Sequence, residues 1–236
     1  MNKYLTLTTF LFFFIFNVVM ANESASNKPK IIALVGISGI GKSTMSKELV
    51  KRCDIDCVLE QEEDVWPEII HEHKKYDPFD VLMAFRQMWL VSYNKAVDIR
   101  SKGRSCILDT IFIKILHYEL GKPGIQWLFP SENPYANVLF SLTKIDISLL
   151  PDPDYIILMD CSFEDWKTLL ASRKRDFDQN EDFLSSFEES KKLVENATLQ
   201  LAEERNIPLL RFNVIFGDVE QQTLRFKSFL QKNNLL

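Results

Sequence analysis

Residues 31–44, IIALVGISGIGKST, decide the fold of this chain. The first five form a continuous apolar run rich in β-branched side chains, which is typical of a strand buried on both faces. Residues 36–43 match the pattern G-x-x-x-x-G-K-[ST], and a helical pattern begins at residue 43. The chain has only 7 glycines in 236 residues, and three of them lie within residues 36–41, so chance clustering explains the match poorly. The stretch therefore predicts a strand, a phosphate-binding loop and a helix.

The chemistry of phosphate binding accounts for each residue type in this loop. Glycines let backbone N–H groups converge on phosphate oxygens, and the N-terminus of the helix adds partial positive charge. Lys42 would neutralise the terminal phosphates, and the Ser43 hydroxyl would ligate Mg²⁺. The predicted nucleotide-binding residues are Gly36, Ile37, Ser38, Gly39, Ile40, Gly41, Lys42, Ser43 and Thr44.

The overall composition limits the class of protein. Hydrophobic residues make up 46% of the chain, which suits one globular domain with a substantial core. The chain has 28 Lys and Arg against 33 Asp and Glu, a net charge of −5, so a nucleic-acid polymer is not expected as partner. Four cysteines are too few for a disulfide scaffold, and we expect free thiols.

The N-terminal residues differ in character from the rest of the chain. A single Lys3 precedes the apolar run Phe10–Phe16, and small residues end at Ala21, which predicts a signal peptide over residues 1–21. The apolar stretch is short for a spanning helix, so no stable membrane insertion is expected after cleavage. Export to a periplasmic, extracellular or lumenal space follows. Translation from Met20 would instead give a cytoplasmic protein.

Beyond a linker over residues 22–29, apolar runs and helical patterns alternate over residues 30–236. This alternation predicts an α/β fold: a three-layer sandwich with a five-stranded parallel sheet, helices on both faces and a short lid. The predicted strands are 31–35, 55–60, 105–109, 155–159 and 207–214. The predicted helices are 43–52, 66–74, 79–100, 111–120, 135–149, 163–175, 182–205 and 219–231.

A phosphate-binding loop alone does not specify a reaction, because GTPases, motors and small-molecule kinases all carry one. A switch GTPase would need D-x-x-G after a strand and N-K-x-D for guanine, and the sequence contains neither. The small size and the helix-rich middle favour a kinase that transfers a γ-phosphoryl group to a small acceptor. A nucleoside monophosphate kinase, another small-molecule kinase or a non-catalytic exported nucleotide-binding protein are the alternatives.

With the loop placed, the chain resembles the deoxynucleoside kinase family, especially its bacterial deoxyadenosine and deoxyguanosine kinases. The resemblance covers most of residues 30–215 and rests on the order and spacing of several segments. After the loop these are LEQEEDVW at residues 59–66, the aromatic helix at 77–90, GRSCILD at 103–109 with Phe112 and Lys114 following, and RKRDF at 173–177. It implies ATP and Mg²⁺ as cofactors and a deoxynucleoside as the small acceptor, with a homodimer possible.

The resemblance also implies roles for residues of the acceptor site. Glu60 or Glu62 would act as base toward the sugar 5′-hydroxyl, and the choice between them is open. Trp66 and Gln87 would contact the acceptor base. Asp109 would belong to the acceptor and Mg²⁺ environment, at the sheet edge where open α/β folds bind ligands. Family members commonly have Asp-Arg-Ser here, whereas this chain has Asp-Thr-Ile, and Lys114 could replace the missing charge.

A basic cluster lies at the end of the sixth predicted helix. Arg173 and Arg175 flank Lys174 and resemble the family's lid, which closes over ATP and stabilises charge on the moving phosphoryl group. Cations at this place would also complement the helix dipole without any role in catalysis. An acidic protein that binds triphosphate needs localised positive charge, so the lid is the preferred interpretation.

Overall fold

The computed structural model describes residues 28–61, 65–109, 134–173 and 184–236. Several predictions from the sequence fall outside these ranges. They are the signal peptide over residues 1–21, most of the linker, Glu62, the helix at 111–120 with Lys114, and Arg175.

Five parallel strands form one sheet, as predicted. They are β1 (Ile31–Val35), β2 (Asp56–Val58), β3 (Cys106–Asp109), β4 (Tyr155–Asp160) and β5 (Leu209–Asn213), in the order β2-β3-β1-β4-β5. All five residues of the central strand β1 are buried, although alternate side chains point to opposite faces of the sheet. Both faces are therefore covered, as a parallel sheet requires. The carboxyl ends of all five strands lie at one edge.

Seven α-helices surround the sheet in the described residues. They are α1 (Lys42–Val50), α2 (Glu68–His71), α3 (Pro78–Ser101), α4 (Ala136–Leu149), α5 (Phe163–Arg173), α6 (Phe187–Glu204) and α7 (Val219–Lys232). The long helix α3 begins as the sequence predicts, because Pro78 starts the first turn and the Asp77 carboxylate accepts the Phe79 N–H at 2.8 Å.

Two predicted elements have half their predicted length or less in the structure. The helix predicted over 66–74 is the four-residue α2 followed by a 3₁₀ turn, His73–Lys75. Pro67 delays its start, and Glu72 leaves the α region at φ −99° and ψ 29°. The strand predicted over 55–60 pairs only from Asp56 to Val58, because β2 is an edge strand with a single neighbour, β3. Residues 59 and 60, predicted to belong to this strand, instead lie in the loop that follows it.

Two apolar clusters hold the layers together. The larger one joins the strands to α1, α5, α6 and α7, and a smaller one packs Ile70, Val81, Leu82, Met88 and Leu139 with aromatic rings of α3. All four cysteines are free thiols, as predicted, and burial raises the pKa of Cys106 and of Cys161 to about 12. None of the helices that the structure describes is long and apolar enough to cross a bilayer.

Candidate active site

A cleft of about 490 Å³ opens at the edge of the sheet where the strands end. Its walls come from the loops after β1, β2 and β5, from the end of β3 and from residues of α1, α5 and α7. The predicted residues that line it are Gly36, Ser38, Gly39, Ile40, Gly41, Lys42, Ser43, Thr44, Glu60, Trp66, Asp109 and Arg173. Residues far apart in sequence therefore meet in one cleft, because parallel strands place all their carboxyl ends on the same side.

The loop between β1 and α1 has the backbone geometry that its glycines allow. Gly39 has φ +83° and Gly41 has φ +93°, a left-handed conformation that other residues rarely adopt. Gly36 is needed for a different reason, because a Cβ there would lie 2.9 Å from the Met159 carbonyl oxygen of β4. The loop can thus turn sharply, lie against the neighbouring strand and present its N–H groups to an anion.

Lys42 folds back over this loop. Its ammonium Nζ donates to the carbonyl oxygens of Gly36, at 3.0 Å, and Ile37, at 3.1 Å. The positive charge is consequently held within the turn, next to the N-terminus of α1. A phosphate in this turn would meet both the ammonium group and backbone donors.

Ser43 and Asp109 form the floor of the cleft. The Ser43 hydroxyl donates to Asp109 Oδ2 at 2.5 Å, and Asp109 is only 2% exposed. The two residues meet because β1 and β3 are neighbours, with Leu34 paired to Asp109. Among the described residues no group of three or more His, Cys, Asp or Glu could hold a metal by itself. A hydroxyl and a carboxylate fit Mg²⁺, which prefers oxygen and completes its shell with water and substrate phosphates.

Helix α5 supports the loop from below, which the sequence did not indicate. Trp166 is 2% exposed, and its indole N–H donates to the Ser38 carbonyl at 2.8 Å. Leu170 packs so closely that a Cβ on Gly39 would lie 2.2 Å from its Cδ2. A buried tryptophan needs a partner for its N–H. A tryptophan in a predicted helix therefore indicates a hydrogen bond to some acceptor, but only the folded structure shows that the acceptor is the Ser38 carbonyl.

One side of the cleft, here called the carboxylate arm, consists of Glu60, Gln61, Trp66 and Asp109. Glu60 follows β2 and is half-buried. Trp66 donates its indole N–H to the Gln61 carbonyl at 3.0 Å and packs edge-on against Phe85 of α3, with ring centroids 5.4 Å apart. These contacts hold Trp66 against Gln61 and Phe85 on this side of the cleft.

Gln87, predicted to contact an acceptor base, is exposed on α3 and does not line the cleft. Its neighbour Arg86 faces the interior instead. The Arg86 guanidinium donates two hydrogen bonds to Asp146 of α4, from Nε at 2.5 Å and from Nη2 at 2.6 Å. This bidentate pair ties α3 to α4 behind the aromatic rings next to the carboxylate arm.

Arg173 is the last residue of α5 and lines the cleft beside the loop. Its Nη1 lies 3.2 Å from the position that a Cβ on Gly39 would take. A guanidinium group at this distance from the turn would reach phosphates bound there.

The opposite side, here called the apolar arm, consists of Leu169, Ser172, Val214, Ile215, Gly217, Val219 and Gln222. The loop after β5 is anchored at two points: Val214 N–H donates to the Asp160 carbonyl at 2.7 Å, and Phe216 N–H donates to Asp165 Oδ1 at 2.8 Å. None of these residues is among those predicted from the sequence to form the site. The signal that points to them is their position directly after the last parallel strand, where ligands bind in such sheets.

Comparison with models of protein families gives no match, and comparison with curated proteins gives none either. Solved structures do match. Deoxyadenosine kinase from M. mycoides with bound dATP has a TM-score of 0.61 at 18% identity, over 85% of this chain and 99% of that chain. The same enzyme with bound dCTP gives 0.59 at 17% identity, over 86% and 99%. Thymidylate kinase from Candida albicans gives 0.58 at 17% identity, over 89% and 94%.

The match extends over nearly the full length of these enzymes. This chain has a parallel sheet with the glycine-rich loop after its central strand. The chain therefore has the fold of the P-loop kinases, the fold that its resemblance to the deoxynucleoside kinases implied.

Proposed function

We propose that this protein is an ATP- and Mg²⁺-dependent phosphotransferase that phosphorylates the 5′-hydroxyl of a deoxynucleoside. One observation carries the proposal: the Lys42 loop lies between a carboxylate arm and an apolar arm within a single cleft. A triphosphate bound in the loop would have its base on one side and an acceptor hydroxyl on the other. This is the order that an in-line phosphoryl transfer requires.

Positive charge supports the transfer. The Lys42 ammonium group and the backbone N–H groups of the loop would bind the phosphates, and Arg173 would stabilise charge on the moving phosphoryl group. Mg²⁺, when bound, would neutralise charge shared by the phosphates, with Ser43 and Asp109 as the residues that fit it. Arg175 and Lys114 have the charge for similar roles but stay predictions.

Glu60 is the proposed base. Its carboxylate lines the cleft on the side away from the apolar arm, where an acceptor hydroxyl would enter. It would accept the hydroxyl proton as the new P–O bond forms. Glu62 remains the alternative, and Trp66 would pack against the acceptor base.

The choice of acceptor rests on two likenesses. The sequence resembles the deoxynucleoside kinases, and two of the matching structures are of a deoxyadenosine kinase with bound deoxynucleotides. The match to thymidylate kinase favours a second candidate, a nucleoside monophosphate kinase, whose acceptor is a phosphate rather than a hydroxyl. A non-catalytic nucleotide-binding protein is the third candidate.

A panel assay separates these candidates. The full chain is incubated with ATP or GTP, with and without Mg²⁺, and with the four deoxynucleosides or their monophosphates, and product is separated by chromatography. We expect Mg²⁺-dependent formation of a deoxynucleoside 5′-monophosphate, abolished by Lys42→Ala. Turnover of monophosphates alone would favour the second candidate. ATP binding without turnover of any acceptor would favour the third, and absence of nucleotide binding would overturn all three.

The residues before the domain bear on where the protein acts. We propose that residues 1–21 are a cleaved export signal, so the protein would act where ATP is supplied outside its own cytosol. Mass spectrometry of the protein from its native cells tests this: a mature N-terminus at Asn22 supports cleavage. A start at Met20, or at Ala21 after loss of Met20, would indicate a cytoplasmic protein.

A further inference from the structure

The apolar arm carries exposed hydrophobic side chains next to two polar ones, Ser172 and Gln222. Ile215 is 44% exposed and Val219 is 46% exposed, although both lie in a cleft beside a phosphate-binding loop. Apolar surface in a cleft with few polar groups is typical of a site for a flat organic ligand. Gln222, in the first turns of α7, supplies an amide group to this arm.

The orientation of the Gln222 amide is fixed by its neighbour Arg225. Arg225 Nη1 donates to Gln222 Oε1 at 2.6 Å. Because a guanidinium group has donors only, the amide must turn its oxygen toward Arg225 and its NH₂ group away. The NH₂ group lies beside Gly217, and a Cβ on that glycine would be 3.3 Å from Nε2. The amide therefore offers a donor within the cleft.

Arg225 is itself held at the end of β5. Its guanidinium carbon lies 5.8 Å from the centre of the Phe212 ring, and its Nη2 donates to the Asn213 carbonyl at 3.4 Å. Arg225 does not line the cleft. It acts on the cleft only through Gln222, as a positioning residue.

We propose that Gln222 recognises the base of the nucleoside triphosphate by donating a hydrogen bond to an acceptor atom on it, and that Arg225 sets the amide for this role. The proposal rests on the proposed function, because it needs phosphates in the Lys42 loop. Purines offer N7 in both bases, O6 in guanine and N1 in adenine. A fixed donor discriminates among bases. A base that places an amino group opposite the Gln222 NH₂ group would leave two donors facing each other, and neither would have an acceptor.

Calorimetric titration of the full chain with ATP, GTP and inorganic tripolyphosphate tests the proposal. Tripolyphosphate fills the phosphate site without a base. We expect Gln222→Leu to weaken binding of at least one nucleotide by about 3- to 10-fold, the effect of one net hydrogen bond, and to leave tripolyphosphate binding unchanged. Gln221→Leu, the same change at the exposed neighbouring position, should alter neither.

The nucleotide that loses affinity narrows the choice of acceptor atom. A loss for both nucleotides indicates N7 or N3, the ring acceptors that both purines share. A loss for GTP alone indicates O6, and a loss for ATP alone indicates N1. Equal losses for tripolyphosphate and nucleotides, or no loss for either nucleotide, would overturn the proposal.

Arg225→Met provides the second test. It frees the amide to rotate and present either its oxygen or its NH₂ group, so we expect the affinity of each nucleotide that Gln222→Leu weakens to fall by about 2-fold or more while tripolyphosphate binding is retained. Unchanged affinity for those nucleotides would refute the positioning role. If the wild-type chain binds none of the three ligands, the proposed function fails together with this inference. Normal wild-type binding with an inert Gln222→Leu variant refutes the inference alone.

Discussion

The two arms of the cleft are built differently. The apolar arm follows β5, and the backbone of its loop is anchored to Asp160 of β4 and to Asp165 of α5. The carboxylate arm follows β2, a three-residue edge strand, and is supported by side-chain packing of Trp66 on Phe85. Hydrogen bonds from the loop's own backbone N–H groups fix the apolar arm, whereas the ring packing and the indole N–H of Trp66 fix the carboxylate arm.

This difference suggests that the two arms have different roles in the proposed enzyme. A rigid apolar surface suits recognition of a base, and carboxylates near the loop suit proton transfer. Variants of the carboxylate arm should therefore change turnover with little effect on nucleotide affinity. Variants of the loop and the apolar arm should change affinity first.

The largest effect is expected from Glu60→Gln. Removal of a general base typically lowers the rate by about 10²- to 10⁴-fold, and the amide keeps the shape of the side chain. We expect that loss in kcat, with the ATP dissociation constant within about 2-fold of wild type because the loop is untouched. Steady-state kinetics and calorimetry measure the two quantities.

Glu68→Gln is the matched control, since Glu68 is an exposed carboxylate on α2 outside the cleft. Full activity of Glu60→Gln would exclude Glu60 as the base. Combination with Glu62→Gln then decides whether either of the two candidate bases serves: an active double variant removes both assignments.

The second effect concerns the loop between the arms. Gly39→Ala would place a methyl group 2.2 Å from Leu170 Cδ2 at φ +83°. Backbone strain of about 1–2 kcal/mol adds to overpacking of about 1–3 kcal/mol, so we expect a free energy of unfolding lower by about 3 kcal/mol and weak ATP binding. Urea denaturation and calorimetry measure these changes.

Gly103→Ala serves as the comparison. Gly103 has a similar φ, +79°, but a Cβ there meets nothing within 4 Å. Gly103→Ala should lower the free energy of unfolding only by the backbone strain, and it should keep wild-type ATP affinity. Equal unfolding energies for the two variants would contradict the close packing of α5 against the loop.

A smaller effect is expected behind the carboxylate arm. Arg86→Met leaves the Asp146 carboxylate, whose side chain is 8% exposed, without its bidentate partner. Loss of one partner of a buried pair costs about 3–5 kcal/mol, and partial exposure of Arg86 reduces this to about 2 kcal/mol. Thermal denaturation should show the loss of stability, with ATP affinity unchanged.

Lys102→Met is the control. It breaks an exposed pair with Asp98 near the end of α3 and should change stability by less than about 0.5 kcal/mol.

The smallest effect is a pH dependence at the anchor of the apolar arm. Hydrogen bonds from the Ser162 hydroxyl and the Phe216 N–H lower the pKa of Asp165. A carboxyl whose pKa is lower in the folded state stabilises that state above its unfolded pKa, about 4, and loses this contribution as the pH falls through the lowered value. The stability difference between wild type and Asp165→Asn should therefore shrink between pH 5 and pH 2 in denaturation experiments. A difference independent of pH would contradict the role of this carboxylate, and Glu164→Gln provides the control.

Local patterns in the sequence were sufficient for most of the fold. The predicted bounds of β1 agree with the structure, and those of α3 and α7 agree within one residue at each end, because long periodic runs and caps such as Asp77 act locally. The bounds of β2 and α2 were wrong, since an edge position and the backbone around Pro67 and Glu72 override local propensity there. Loop residues such as Lys42 and Ser43 were predicted because their spacing is itself a motif.

The residues that shape the rest of the cleft have no such spacing. The motif determined that phosphates would bind after β1, because a glycine-rich turn before a helix is a local arrangement of N–H donors. Only the tertiary structure brought Asp109 to Ser43, Trp166 to the Ser38 carbonyl and Gln222 into the cleft, and it left Gln87 outside. The contact between Ser43 and Asp109 joins residues 66 positions apart in the sequence, and the contact between Ser38 and Trp166 joins residues 128 positions apart. These contacts depend on the order of the strands in the sheet and on which side of each helix packs against it. No single segment of the sequence determines either.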